Sequence, residues 1–176
     1  MFLYSLLALA VVTALIFAAP LKAKVWATLA VVAAGALWAS ATAVGVLAGG
    51  HTVRLWATDV FLFGSDAGSM DPLSALFALI VSVGAVAAVL YSRGYLAHYL
   101  GRKSPAHISL HYTALATMFY AMLGVVTSEG GFSFLFFWEL MTVASFLLIL
   151  FDAERREVRR AALALSLIHI SEPTRL

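Results

Sequence analysis

The chain contains no cysteine. Disulfides, thiolate metal sites and iron–sulfur clusters held by its own thiolates are therefore excluded, and any redox chemistry must take place on a partner. Charge is scarce as well: 11% of the 176 residues are charged, against about 25% in soluble domains. No Ser-His-Asp arrangement, phosphate loop or dinucleotide fingerprint is visible, and the glycines fall in turns and apolar stretches. No cofactor, metal or nucleic acid is expected, and no catalytic activity of the chain's own.

What the sequence has instead is apolar length. Hydrophobic residues make up 63% of it, and the charges cluster between uncharged runs near the ~20 residues that cross a hydrocarbon core. The runs fall at about residues 2–19, 25–48, 71–91, 108–127 and 132–151. The expected fold class is all-α: a polytopic bundle of five transmembrane helices with lipid as the main solvent. The first run has no Lys or Arg before Lys22, so it is expected to be a retained helix and not a signal peptide. The second, rich in Ala and Gly, suits either close helix packing or a lipid-facing surface. Residues 51–70 form a polar connection. Within it, residues 52–63 suit a short hairpin or an interfacial segment anchored by Trp56, with Gly64-Ser65-Asp66 as a turn. Asp71 followed by Pro72 is a helix N-cap with proline at the first helical position.

Basic residues give an orientation. The connections after the first, third and fifth runs hold Lys22, Lys24, Arg93, Arg102, Lys103, Arg155, Arg156, Arg159 and Arg160; those after the second and fourth hold Arg54 alone. This bias predicts an N-terminus outside and a multi-pass protein of the cell inner membrane. It also accounts for the pI near 9.1 without an anionic partner.

The last residues have another origin in this reading. Leu165–Arg175, LSLIHISEPTR, matches the translation of a transposase sequencing adapter codon for codon. Residues 165–176 are expected to be a non-native tail, and 1–164 the N-terminal part of a longer membrane subunit. His169 and Glu172 are set aside for that reason.

Glu139 is the one acidic residue inside a run, about 10 Å from the outer end at ~1.5 Å per residue. A carboxylate at that depth costs several kcal/mol unless it is protonated, paired or hydrated. It is therefore expected to carry protons; the plainer reading is a neutral, hydrogen-bonded packing group. No Lys, Arg or His lies at comparable depth in the other runs. His98, His107 and His111 lie in or near the third connection. They could pass protons to a channel mouth or serve as polar helix-end residues.

Three stretches carry a family resemblance: MDPLSALFALIVSVGAVAAVLYSRGYL (Met70–Leu96), SPAHISLHY (Ser104–Tyr112) and FLFFWELMTVASFLLILFDAERREVRRA (Phe134–Ala161). Together they resemble the antiporter-like membrane subunits of respiratory complex I, of membrane-bound hydrogenases and of multisubunit sodium/proton antiporters. GYL, HY and FWELM…ASFLL look most like the hydrogenase-4 or formate hydrogenlyase component B branch. The resemblance implies proton transport driven by electron transfer in partner subunits, both membrane and hydrophilic. It also implies that Glu139 matches the family's translocating glutamate. The family's later membrane lysines have no counterpart in these residues. The alternatives are a non-translocating membrane scaffold, a multisubunit cation/proton antiporter subunit, or an unrelated secondary transporter with inverted repeats.

Overall fold

The computed structural model describes residues 14, 16–20, 23–60, 64–99 and 102–151. They form α1 (Lys24–Gly49), β1 (Val53–Val60), β2 (Gly64–Met70), α2 (Pro72–Ala97), α3 (Pro105–Thr127) and α4 (Gly131–Leu150). All four helices are long and apolar enough to cross a membrane. They correspond to the second to fifth expected runs. Most of the first run and the tail at 165–176 lie outside the described residues. Residues 16–18 are helical and end before Pro20. Their carbonyls are capped from the next helix: Lys24 Nζ donates to the Ile16 and Phe17 oxygens, both at 2.9 Å. A cation on the last carbonyls of a helix is the arrangement its dipole favours.

α1 packs chiefly on α2. Its buried residues Thr28, Val32, Ala36, Ala39, Ala43 and Val46 recur every three or four positions. They meet a matching line on α2, with Ala75, Ala78, Ser82 and Val89. Side chains this small let two backbones approach closely, which is how helices associate where no hydrophobic force separates lipid from protein. The Ala-rich second run is thus a packing surface on one side. Its other side, with Trp26, Leu37, Trp38 and Val44, is exposed.

Two helix limits differ from the expected ones. α2 continues past Tyr91 to Ala97, so Arg93 belongs to the helix and not to the connection. Its guanidinium lies 5.5 Å from the Trp26 ring centroid; a long basic side chain on a helix end can cover an aromatic while its head stays wet. α3 starts at Pro105 instead of Ile108, because Ser104 supplies the N-cap and Pro105 occupies the first helical position. The connection between α2 and α3 is correspondingly short.

β1 and β2 form an antiparallel hairpin, paired from Val53↔Met70 to Val60↔Gly64, with an irregularity between Arg54 and Trp56. Residues 52–63 are therefore not a hairpin by themselves: 53–60 form one strand of a larger hairpin, and Gly64-Ser65-Asp66 opens its second strand instead of a turn. The chain reverses at residues 61–63, which lie outside the described residues. Trp56 pairs with Gly68, and its indole fills the space over that glycine. The hairpin is tied to the α3–α4 turn as well: Glu129 N–H donates to the Ala67 carbonyl at 2.9 Å, and Gly68 bridges to Ser128.

Candidate functional site

α4 carries Glu139 and is the least covered of the four helices. Its residues are strongly apolar, and its start has no capping side chain of its own, since the N-cap position is Gly130. The first N–H groups of a helix need acceptors. Here the acceptor comes from the hairpin. Asp66, a buried residue of β2, accepts from Ser133 N–H through Oδ2 at 2.8 Å. Its Oδ1 accepts from Ser133 Oγ at 3.0 Å and from Ala67 N–H at 2.8 Å. A negative charge beside a helix N-terminus is also what the dipole favours.

The far end of α4 is capped by the opposite charge. Lys103 Nζ donates to the Phe151 carbonyl and sits 4.8 Å from the Phe151 ring centroid and 5.5 Å from that of Tyr99. Tyr99 and Phe151 meet edge to face at 5.3 Å, so the cation rests on an aromatic ledge.

Between these two caps, α4 turns one face to α3. Ser133 and Ala144 are buried on it, and Phe137 lies against the bare backbone of Gly124 on α3; Thr142, three residues after Glu139 and so on the Glu139 side of the helix, is buried as well. The opposite face carries Leu135, Glu139 and Val143, each four residues apart, flanked by Phe134 and Trp138. All five are exposed. Glu139 therefore sits eight residues, about 12 Å, from the start of the helix, and is exposed. Among the described residues it makes no ion pair.

The three histidines are not brought together. His98 is the exposed C-cap residue of α2. His107 lies in the first turn of α3, exposed, with Nδ1 2.9 Å from Ser104 Oγ. Only His111 is enclosed. Its ring centroid lies 4.7 Å from that of Phe151 and 6.0 Å from those of Tyr95 and Tyr112, and its Nδ1 has no hydrogen-bond partner among the described residues. Since Phe151 is twelve residues from Glu139, His111 stands about 18 Å from Glu139 along the α4 axis.

Two residues at this helix were not singled out from the sequence. By sequence Asp66 reads as part of a turn, and Lys103 only as one of the charges that orient the chain. For Asp66 a signal was present: Gly130-Gly131 opens a helix with no Ser, Thr, Asp or Asn at its cap. For Lys103 there was none.

Half of the chain has known relatives. It is similar to antiporter and quinone-oxidoreductase subunits. It is 35% identical over 82 residues to an antiporter subunit, mnhA2, of Staphylococcus saprophyticus, which is 47% of this chain and 10% of that protein. Over 88 residues it is 35% identical to NAD(P)H-quinone oxidoreductase chain 5 of a Picosynechococcus species, covering 50% of this chain and 12% of the relative. The mnhA2 subunit of Staphylococcus aureus is 36% identical over 80 residues, 46% of this chain and 9% of its own. The matched part thus spans about a tenth of the length of these curated relatives. No family model matches the chain. The four apolar spans, with the likeness to these membrane subunits, make it a multi-pass membrane protein.

Proposed function

We propose that Glu139 is the proton-carrying group of an antiporter-like subunit. In this reading the subunit works inside a complex I-like quinone oxidoreductase or a multisubunit cation/proton antiporter, with other membrane and hydrophilic subunits as partners. A hydrogenase-4-type complex is a third setting for the same chemistry. The observation that carries the reading is the position of Glu139: an exposed carboxylate in mid-span, on the side of α4 away from its contact with Gly124 of α3. A carboxyl held only for packing would be enclosed between helices and hydrogen-bonded there. This one is turned outward, where a cationic group from a neighbouring helix or subunit can reach it and where water can hydrate it.

The mechanism is protonation and deprotonation of Glu139, controlled by the approach and withdrawal of that cation. Hydration of one side or the other sets which compartment it exchanges with. Electron transfer elsewhere in the complex supplies the driving force in the oxidoreductase setting; a cation gradient supplies it in the antiporter setting. The charge bias supports a reading in which the Lys103 end of α4 faces the cytoplasm and the Asp66 end faces outward, in the inner membrane. His111, enclosed at the Lys103 end, is the histidine of the three best placed to relay protons at a cytoplasmic mouth; His98 and His107 serve as helix-end groups.

The test is Glu139→Gln in the assembled complex. Proton transport is expected to be lost while assembly is retained. Undiminished transport in an assembled complex would remove Glu139 from the mechanism.

A further inference from the structure

The proton-carrier reading leaves one feature of α4 unaccounted for. A helix normally carries its own N-cap, one residue before its first turn, and such a cap travels with the helix wherever it goes. α4 has Gly130 there. A Cβ on Gly130 would collide with the Asp66 carboxylate, so the place of a local cap is already filled by a side chain from β2. The capping group is thus fixed to a different element. That element is itself bonded to the α3–α4 turn, through Glu129 N–H on the Ala67 carbonyl and the Gly68–Ser128 bridge. Asp66 is buried and has both carboxylate oxygens engaged, two of its three bonds going to Ser133.

We propose that Asp66 is a positioning residue for Glu139: by accepting both the N–H and the hydroxyl hydrogen bonds of Ser133, the hairpin fixes the height and rotation of α4 and so the place of the carboxyl it carries. The inference rests on the proton-carrier reading of Glu139. Its physical basis is short. Ser133 and Glu139 are six residues apart on one uninterrupted helix, about 9 Å along the axis. A helix is stiff over that distance, so a shift or turn at Ser133 arrives at Glu139 undiminished. Among the described residues, the elements packed most closely against α4 are α3 and β2. Their titratable groups are His107, His111, Tyr112 and Tyr120 on α3 and Asp66 on β2, and Lys103 lies beyond the other end of the helix. Asp66 is the one carboxylate among them.

The experiment reads Glu139 itself and not transport. The full chain, in lipid nanodiscs, is exposed to a hydrophobic carbodiimide, to which the protonated carboxyl gives its proton and adds through oxygen. Labelling at Glu139 is followed by peptide mass across a pH series. Three variants are compared with the parent, each first confirmed folded by its helical circular dichroism: Asp66→Ala, Ser133→Ala, and the exchange Asp66→Gly with Gly130→Asp. The exchange keeps a carboxylate at the start of α4 and restores a local cap, but cuts the tie to the hairpin. Asp66→Ala is expected to change the Glu139 labelling rate roughly threefold or more at fixed pH, a change of the size expected from losing a cap. Ser133→Ala, which keeps the backbone bond, should move it less and in the same direction. The exchange is expected to recover thermal stability without recovering the parent's labelling profile.

An unchanged profile in folded Asp66→Ala overturns the proposal. So does an exchange variant that recovers both stability and profile, since Asp66 would then be a cap and nothing more. Where Asp66→Ala does not fold, the other two variants decide by the same criteria. The two readings fail separately: full transport by Glu139→Gln removes the proton carrier, whereas the labelling profile reports on position whether or not Glu139 carries protons.

Discussion

Tyr120 of α3 donates its hydroxyl to the carbonyl of Val31 on α1, 2.8 Å away, across a gap that exists because residue 35 is glycine. The space a Cβ would need on Gly35 is taken by the phenol oxygen of Tyr120 and the ring of Phe119. The rings of Phe119 and Tyr120 also meet at a tilt of 60°, with centroids 5.0 Å apart. One aromatic pair thus closes α3 onto α1, 89 residues apart in sequence at the hydrogen bond.

That contact gives a prediction in the form of a cycle. Tyr120→Phe should cost about 1 kcal/mol, the net worth of one hydrogen bond to a carbonyl that keeps its helical donor. Gly35→Ala should cost about 1–3 kcal/mol through overpacking against the phenol oxygen. The two together should cost less than their sum, because removing the hydroxyl makes room for the methyl. Thermal unfolding of the four proteins in one detergent measures the coupling; strict additivity would show that the gap is not shared.

The two adjacent glycines at the head of α4 should respond in opposite ways. Gly130→Ala forces a methyl onto the Asp66 carboxylate and should destabilise by roughly 1–3 kcal/mol. Gly131→Ala meets no described atom within 4 Å and lies in the helix, where alanine is favoured over glycine by about 1 kcal/mol. It should be neutral or stabilising. Parallel unfolding curves distinguish the pair, and equal losses would mean that Asp66 does not occupy the cap.

Acid should loosen the start of α2. Asp71 caps that helix through Ser74 N–H at 2.6 Å. The backbone N–H of Ser74, more than its hydroxyl, holds the Asp71 carboxyl below its ordinary value of 3.8. The folded value is the lower one, so the contribution is fully present above the unfolded value. It is lost as the pH falls below about 4 and through the folded value. Asp71→Ala should cost about 1 kcal/mol at neutral pH. Asp71→Asn, a good cap with no charge to lose, should keep most of the stability and flatten its acid limb. Amide hydrogen exchange in the first turn of α2, followed from pH 6 downward, reads the effect where it occurs.

Spans two to five were legible in the sequence because length without charge is enough to define a helix in lipid. The cap at Asp71 was legible because its signal is local: an acidic residue followed by proline. The extension of α2 past Arg93 was not, since hydropathy marks where the chain leaves the hydrocarbon and not where the helix stops. Asp66 was misplaced for a related reason. Gly-Ser-Asp is turn chemistry as a string, and only the pairing of residues 64–70 with residues 53–60 turns it into a strand whose carboxylate points at another element. Glu139 was visible as an isolated charge in an apolar run; which way it faces depends on the packing of Phe137 against Gly124, which no periodicity in so uniformly apolar a helix reveals.

Asp66 and Lys103 hold the two ends of α4 with charges of opposite sign, and both precede it in the chain. During synthesis a chain is released N-terminus first and folds in that order. The hairpin and the α2–α3 connection therefore leave the ribosome before residues 131–150 do. The helix with the least apolar cover finds both of its end sockets already made, one on each side of the membrane. Its insertion is a docking between two fixed points, so a helix lengthened or shortened by one residue would reach one socket and miss the other.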